Sequence, residues 1–150
     1  MRAFTCLGFF GATVLTACGG GGDSGGPSTP VDIDGTWNYS VTVSNSTVQV
    51  SCNTTGTMVI NQAGDQATGT YSGQGECNGP GGSTGQQPVA GNVSGGKING
   101  NKVSFGDQEG CSYSGTASGT PTNAMGGNAS CVVGVQGTNY TFRGTWSASR

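Results

Sequence analysis

From residue 35 onward, apolar and polar side chains alternate almost one by one, and the alternation breaks mainly at short clusters of Gly, Asn, Asp and Pro. The run GTWNYSVTV (35–43) sets Trp37, Tyr39, Val41 and Val43 against Asn38, Ser40 and Thr42. A period of two belongs to a strand with one dry and one wet face, so the domain is predicted to be all-β. After the turn Ser44-Asn45-Ser46, STVQVSCNTTGTMVIN (46–61) keeps Val48, Val50, Cys52, Met58 and Ile60 on one side. AGDQ then reverses the chain into ATGTYSGQGEC (67–77), which carries Tyr71, and a Gly- and Pro-rich loop follows at 78–87. PVAGNVSGGKI (88–98) and KVSFGDQ (102–108) meet at Asn99-Gly100-Asn101. Asn-Gly between alternating runs is a strong hairpin signal. CSYSGTASG (111–119), a turn around Pro121, AMGGNASCVVGV (124–135), the turn Gln136-Gly137 and TNYTFRGTWSASR (138–150) complete the chain. The last run places Tyr140, Phe142, Trp146 and Ala148 on one face.

Eight runs joined mostly by short turns predict an eight-stranded antiparallel up-and-down barrel, which leaves no exposed sheet edge. A β-sandwich is the other architecture the alternation allows. Closure of the barrel requires the first and last strands to pair, and is expected to bring the GTW at 35–37 and the GTW at 144–146 into one layer. Gly69, Gly73, Gly95, Gly115, Gly127 and Gly144 fall inside the predicted strands. They either relieve crowding where a small barrel coils sharply or leave room for a ligand.

The first thirty residues follow a different pattern. Arg2 precedes a mostly apolar run from Ala3 to Val14, shorter than the roughly 20 residues a membrane-spanning helix needs and within the range of a secretory signal. The run ends in Leu15-Thr16-Ala17-Cys18, which resembles the lipobox of bacterial lipoprotein precursors. The resemblance implies cleavage before Cys18, acylation of that residue and attachment of the mature chain to a membrane of the cell envelope. Gly19 stands where an Asp favours retention in the inner membrane, which points to the outer membrane. GGGGDSGGPSTP (19–30) has no apolar periodicity and reads as a flexible spacer. The expected organisation is therefore a signal peptide at 1–17, a lipidated Cys and linker at 18–30, and a β-barrel at 31–150.

Cleavage changes the cysteine arithmetic. Cys6 departs with the signal and Cys18 takes lipid, which leaves Cys52, Cys77, Cys111 and Cys131 for an oxidising compartment. Hairpins turning at Gly64-Asp65 and around Pro121 set Cys52 opposite Cys77 and Cys111 opposite Cys131, and those pairings are favoured. Barrel closure leaves Cys52–Cys131 with Cys77–Cys111 as the rival. No CxxC and no His occur in the chain, so neither a metal site nor a cofactor is expected.

Composition narrows the chemistry further. Without His, Ser-His-Asp and Cys-His mechanisms are excluded, and no catalytic residue is assigned. Asp107 and Glu109 are two residues apart, but beside the Gly110 turn they read as ordinary solvated acids rather than a glycosidase pair. Charged residues make up only 8% of the chain, against about 25% in a typical protein. Loss of Arg2 leaves four basic residues against seven acidic ones, a net charge of −3, so nucleic acid is not an expected partner.

The hairpin succession from GTW through MVINQAGDQATGTYSG, VSGGKINGNKVSF and YSGTASG to YTFRGTWSASR resembles the small lipocalin-like barrels of bacterial lipoproteins. That resemblance implies a small apolar or amphipathic ligand in the barrel mouth, with Trp37, Tyr39, Met58, Tyr71, Phe105, Phe142 and Trp146 as the candidate contacts. The same residues serve equally as the filling of a solid barrel. GTW followed by GTY is also similar to the avidin group of biotin-binding barrels, with Tyr71 matching a binding Tyr. Gly73 stands where that group has a hydrogen-bonding Ser, and the later strands lack its pocket Trp residues. Two further functions fit the sequence. One is an envelope protein interaction or inhibitor module working through CNGPGGSTGQQP (77–88), and the other is a purely structural surface lipoprotein.

Overall fold

A computed structural model describes residues 28–135 and 137–150 of the chain. The expected signal peptide, Cys18 and most of the linker lie outside the described residues. Nine strands are present: β1 (Gly35–Asn45), β2 (Val50–Ala63), β3 (Gln66–Gly79), β4 (Gly82–Ser83), β5 (Gln87–Asn99), β6 (Lys102–Asp107), β7 (Cys111–Ser118), β8 (Ala124–Val135) and β9 (Thr138–Ser149). Eight of them are the eight predicted runs, and β4 is a two-residue strand that folds back on the end of β3.

Each strand pairs antiparallel with its chain neighbour, apart from the detour through β4. The ring closes through β1–β9, with Asn38 opposite Ser149 and Val41 opposite Trp146. The architecture is a closed eight-stranded up-and-down barrel and not a sandwich. The alternation anticipated the two faces. Val41, Val43, Met58, Ile60, Val103, Phe105, Phe142, Trp146 and Ala148 are buried inward, while Thr42, Asn53, Thr55, Thr57, Ser104, Ser114 and Thr145 are exposed outside. The outer wall is thus lined with hydroxyls and amides, the reverse of the apolar band that a membrane-spanning barrel turns to lipid.

One predicted alignment is corrected. β1 and β9 do pair, but their register sets Trp146 opposite Val41, so the two GTW segments occupy different layers. A narrow barrel holds few bulky side chains at one level, and two indoles at the same height would crowd it. Trp37 is fully buried near the start of β1, where its indole N–H donates to the Ile33 carbonyl at 2.9 Å and the Arg150 guanidinium lies 4.4 Å from the ring centre. Trp146 sits further along the barrel, directly across β8 from Gly127.

The end of the barrel beside Trp37 is sealed. The segment from Val31 to Asp34 runs from the β5–β6 turn, where the Val31 N–H donates to the Gly100 carbonyl, to the end of β2. There Gln62 accepts from the Ile33 N–H through Oε1 and donates through Nε2 to the Val31 and Gly64 carbonyls. Ile33 is thereby held in the core with Trp37 and Ile60. Arg150 closes the same end from the last strand, donating to the Thr122, Asp34 and Asp32 carbonyls.

The glycines inside the strands serve close backbone approach. Gly56 faces Gly73 across β2–β3, and a Cβ on Gly73 would lie 2.1 Å from the Thr55 carbonyl oxygen and 2.8 Å from the Gly56 Cα. Gly115 and Gly127 repeat the arrangement across β7–β8. Gly95 differs: at φ 61° it forms a bulge where the β5–β6 register shifts between Ser94 and Lys97. The inward parity of β5 changes there from Val93 to Ile98, both buried.

Both favoured disulfides are formed, Cys52–Cys77 with Cα atoms 4.0 Å apart and Cys111–Cys131 at 3.9 Å. Each bridges residues directly opposite in one hairpin, so the turns that set the strand register also set the pairing, and the rival connectivity is not adopted.

Candidate functional site

Opposite the sealed end the barrel opens into a cavity of about 160 Å³. Its wall is assembled from inward positions of every long strand: Tyr39, Val41 and Val43 of β1, Met58 of β2, Tyr71 of β3, Val93 of β5, Phe105 and Asp107 of β6, Tyr113 of β7 and Trp146 of β9. Cys111 and Cys131 carry their disulfide along one side, and Glu109 of the β6–β7 turn stands at the rim.

Aromatic rings form two groups in this wall. Phe105 meets Trp146 edge to face at 5.0 Å and lies tilted against Tyr113 at 5.1 Å, while Tyr39 and Tyr71 meet edge to face at 6.1 Å. The indole N–H of Trp146 donates to the Ser114 carbonyl at 3.2 Å, which fixes the ring plane. The Tyr71 ring also lies over Gly91 on β5, where any side chain would collide with it. An aromatic side chain covering a cross-strand glycine is a recurrent device of small barrels.

The polar groups are few and positioned. Asp107 Oδ1 accepts the backbone N–H groups of Glu109 and Cys111, each at 2.9 Å, and Oδ2 accepts the Tyr113 hydroxyl at 2.9 Å. The Tyr39 hydroxyl is buried with no hydrogen-bonding partner among the described residues. Burial, and after it the negative charge of Asp107, pushes the Tyr39 phenol above its ordinary value. Burial and then the charges of Asp107, Glu109 and an ionised Tyr39 push Tyr71 up to about 12. Tyr113 is raised by burial first and next by Asp107, through its charge and through their hydrogen bond. All three phenols therefore stay protonated at neutral pH and present O–H groups to the interior.

The structure brings together Tyr39, Met58, Tyr71, Phe105 and Trp146 of the residues read from the sequence as ligand contacts. It does not bring Trp37 or Phe142 to the cavity. Trp37 belongs to the sealed end, and Phe142 is buried on β9 opposite Cys131 without lining the space. The sequence does not single out Tyr113, and it reads Asp107 as an ordinary solvated acid beside a turn; the structure instead turns Asp107 into the cavity wall with both carboxylate oxygens engaged. Parity was the available signal, because Tyr113 is two residues from Cys111 and Asp107 two from Phe105, on the same inward face.

The arrangement offers binding chemistry. The lining cysteines are tied in a disulfide, and the inward carboxylate accepts hydrogen bonds from two backbone N–H groups and the Tyr113 hydroxyl. Among the described residues, no group of His, Cys, Asp and Glu is placed to hold a metal ion. No family model, curated protein or solved structure matches the chain.

Proposed function

We propose that the protein is a lipid-anchored component of a bacterial cell envelope, tethered through Cys18 to the outer membrane, that binds a small amphipathic molecule in the mouth of its barrel and carries out no reaction. The observation that carries the binding reading is the open, aromatic-walled cavity, whose wall includes Tyr39 with a buried hydroxyl that has no partner among the described residues. A buried hydroxyl without a partner costs about 1–3 kcal/mol, which a ligand group able to hydrogen-bond with it recovers. Size limits the occupant. The cavity matches the roughly 150 Å³ space that admits benzene in an engineered core and is well below the range of about 300–1,000 Å³ for drug-sized ligands. It suits one ring or one compact head, with any longer portion of the molecule left outside.

The test is native mass spectrometry of protein isolated from its own cells, combined with fluorescence titration. Trp146 lines the cavity and Trp37 is sealed from it, so a spectral response that disappears in Trp146→Phe reports occupancy of the mouth. Absence of both a bound mass and a response overturns the reading. Anchoring is tested separately by palmitate incorporation, which Cys18→Ser is expected to abolish.

The loop of residues 77–88 supports a second reading, an envelope protein interaction. Its tip from Gly81 to Pro88 is exposed, yet it is tied down by the Thr84 N–H to Cys77 carbonyl bond, the Cys77 N–H to Thr84 hydroxyl bond and the Ser83–Glu76 contact. A fixed, exposed loop presents one surface to a partner protein. Equal recovery of envelope proteins by the intact chain and by a variant with this loop shortened would reject that role.

A further inference from the structure

The charge of the lining residues separates ligand classes that size alone does not. Asp107 and Glu109 are the charged side chains among them, and both are acidic. The basic residues of the described chain lie elsewhere. Lys97 and Lys102 flank the β5–β6 turn on the outer wall, Arg143 points outward from β9, and Arg150 is committed to Trp37 at the sealed end.

We propose that the barrel mouth selects a compact ligand bearing a protonated amine or quaternary ammonium group, over a neutral molecule of the same shape and strongly over a carboxylate. The inference rests on the ligand-binding reading above and names the charge that the site takes. Three features on different strands support it independently. Among the described residues Asp107 Oδ2 accepts only the Tyr113 hydroxyl, which leaves acceptor capacity on an inward carboxylate. The Tyr39 hydroxyl in the same wall is buried and has no partner among the described residues, which leaves its oxygen an unused acceptor. The rings of Tyr39, Tyr71, Phe105, Tyr113 and Trp146 line the space, and a cation over the face of such a ring is attracted where an anion is not. A carboxylate in the same position would meet the inward charge of Asp107, with Glu109 at the rim adding to it and no cation among the lining residues to offset them.

Benzylammonium, benzyl alcohol and benzoate form a suitable series, since they share one ring and differ in charge. Each is titrated into the oxidised full chain at neutral pH and low salt and followed by Trp146 fluorescence and calorimetry. Benzylammonium is expected to bind about tenfold more tightly than benzyl alcohol, the equivalent of about 1.4 kcal/mol, and benzoate more weakly than either. Glu109→Gln, an exposed change that leaves the fold intact, should narrow the margin several-fold, and Asp107→Asn should narrow it further. Benzoate binding as well as benzylammonium, or a margin unmoved by both substitutions, overturns the proposal. If benzyl alcohol binds and benzylammonium binds no better, the charge preference falls and the mouth remains a ligand site. If none of the three produces a Trp146 response, the ligand site and its preference fall together.

Discussion

Removing the Cys52–Cys77 bridge probes how this glycine-rich chain reaches a stable fold. The bridge closes a loop of 25 residues and its partner, Cys111–Cys131, one of 20. Restriction of the unfolded chain by loops of those lengths is worth about 3.5 and about 3.3 kcal/mol. Cys52→Ala with Cys77→Ala is the cleaner perturbation, because Cys52 and Cys77 are half-buried and do not border the cavity, so little packing is lost with the sulfurs. With a urea dependence of about 2 kcal/mol per molar, the midpoint should fall by roughly 1.5–2 M, and the dependence itself should steepen as the unfolded chain expands. The two loops share no residue, so removal of both bridges should cost about 7 kcal/mol, within the 5–15 kcal/mol of an ordinary domain. The variant lacking both should be largely unfolded at 37 °C by circular dichroism. A loss below about 1 kcal/mol for the first variant would refute the reasoning. It would mean that the unfolded chain keeps the β2–β3 hairpin without its crosslink.

Three other predictions come from separate parts of the molecule. Gly73→Ala, which forces a methyl against the Thr55 carbonyl, should cost about 1–3 kcal/mol in chemical denaturation. Gly81→Ala, with nothing within 4 Å of the added carbon, should stay within about 0.5 kcal/mol of the parent. Arg150→Ala removes the stack on Trp37 and the hydrogen bonds to the Val31–Asp34 segment, so it should lower the thermal midpoint and speed hydrogen exchange at the Ile33 amide. Alkaline titration followed by phenolate absorbance should show late ionisation of Tyr39, Tyr71 and Tyr113. Their folded values lie above the unfolded value of 10.0, so the stability they contribute is complete below pH 10 and declines as pH rises from there through about 12, the value for Tyr71. Ordinary phenolate ionisation near pH 10 in the still-folded protein would contradict their burial.

The hairpins were legible because strand period and turn chemistry agreed: Asn99-Gly100 between alternating runs, Gly64-Asp65 between Ile60 and Tyr71. Cysteine pairing came with them, since a tight hairpin leaves each sulfur one partner directly across. The β1–β9 register was not legible, because those strands are far apart in sequence and no turn ties one to the other. That register sets Val41, a smaller side chain, across from Trp146. Val31-Asp32-Ile33-Asp34 was equally opaque. It alternates like a strand, but the Gln62 amide holds it across an open barrel end, and a side chain acting at that distance leaves no local pattern. At the mouth, inward parity was enough to include Tyr113 and Asp107. It did not separate Trp37 from Trp146, because parity reports which face a residue occupies and not how far along the axis it sits.

The Val31–Asp34 strap also dictates orientation. The chain reaches the barrel at its plugged pole, and ten peptide steps separate Cys18 from Ser28, a leash of at most about 36 Å. Strands of a dozen residues, tilted about 40°, make the body roughly 30 Å tall. A Gly-rich leash of that length spans only about 18 Å on average, so the opposite pole can touch the acyl chains' own leaflet only when the leash is drawn out almost fully along the barrel. With Cys18 acylated as proposed, a slack leash keeps the plugged pole nearer the bilayer and turns the aperture toward the surrounding water, the side from which a guest of the proposed kind would enter.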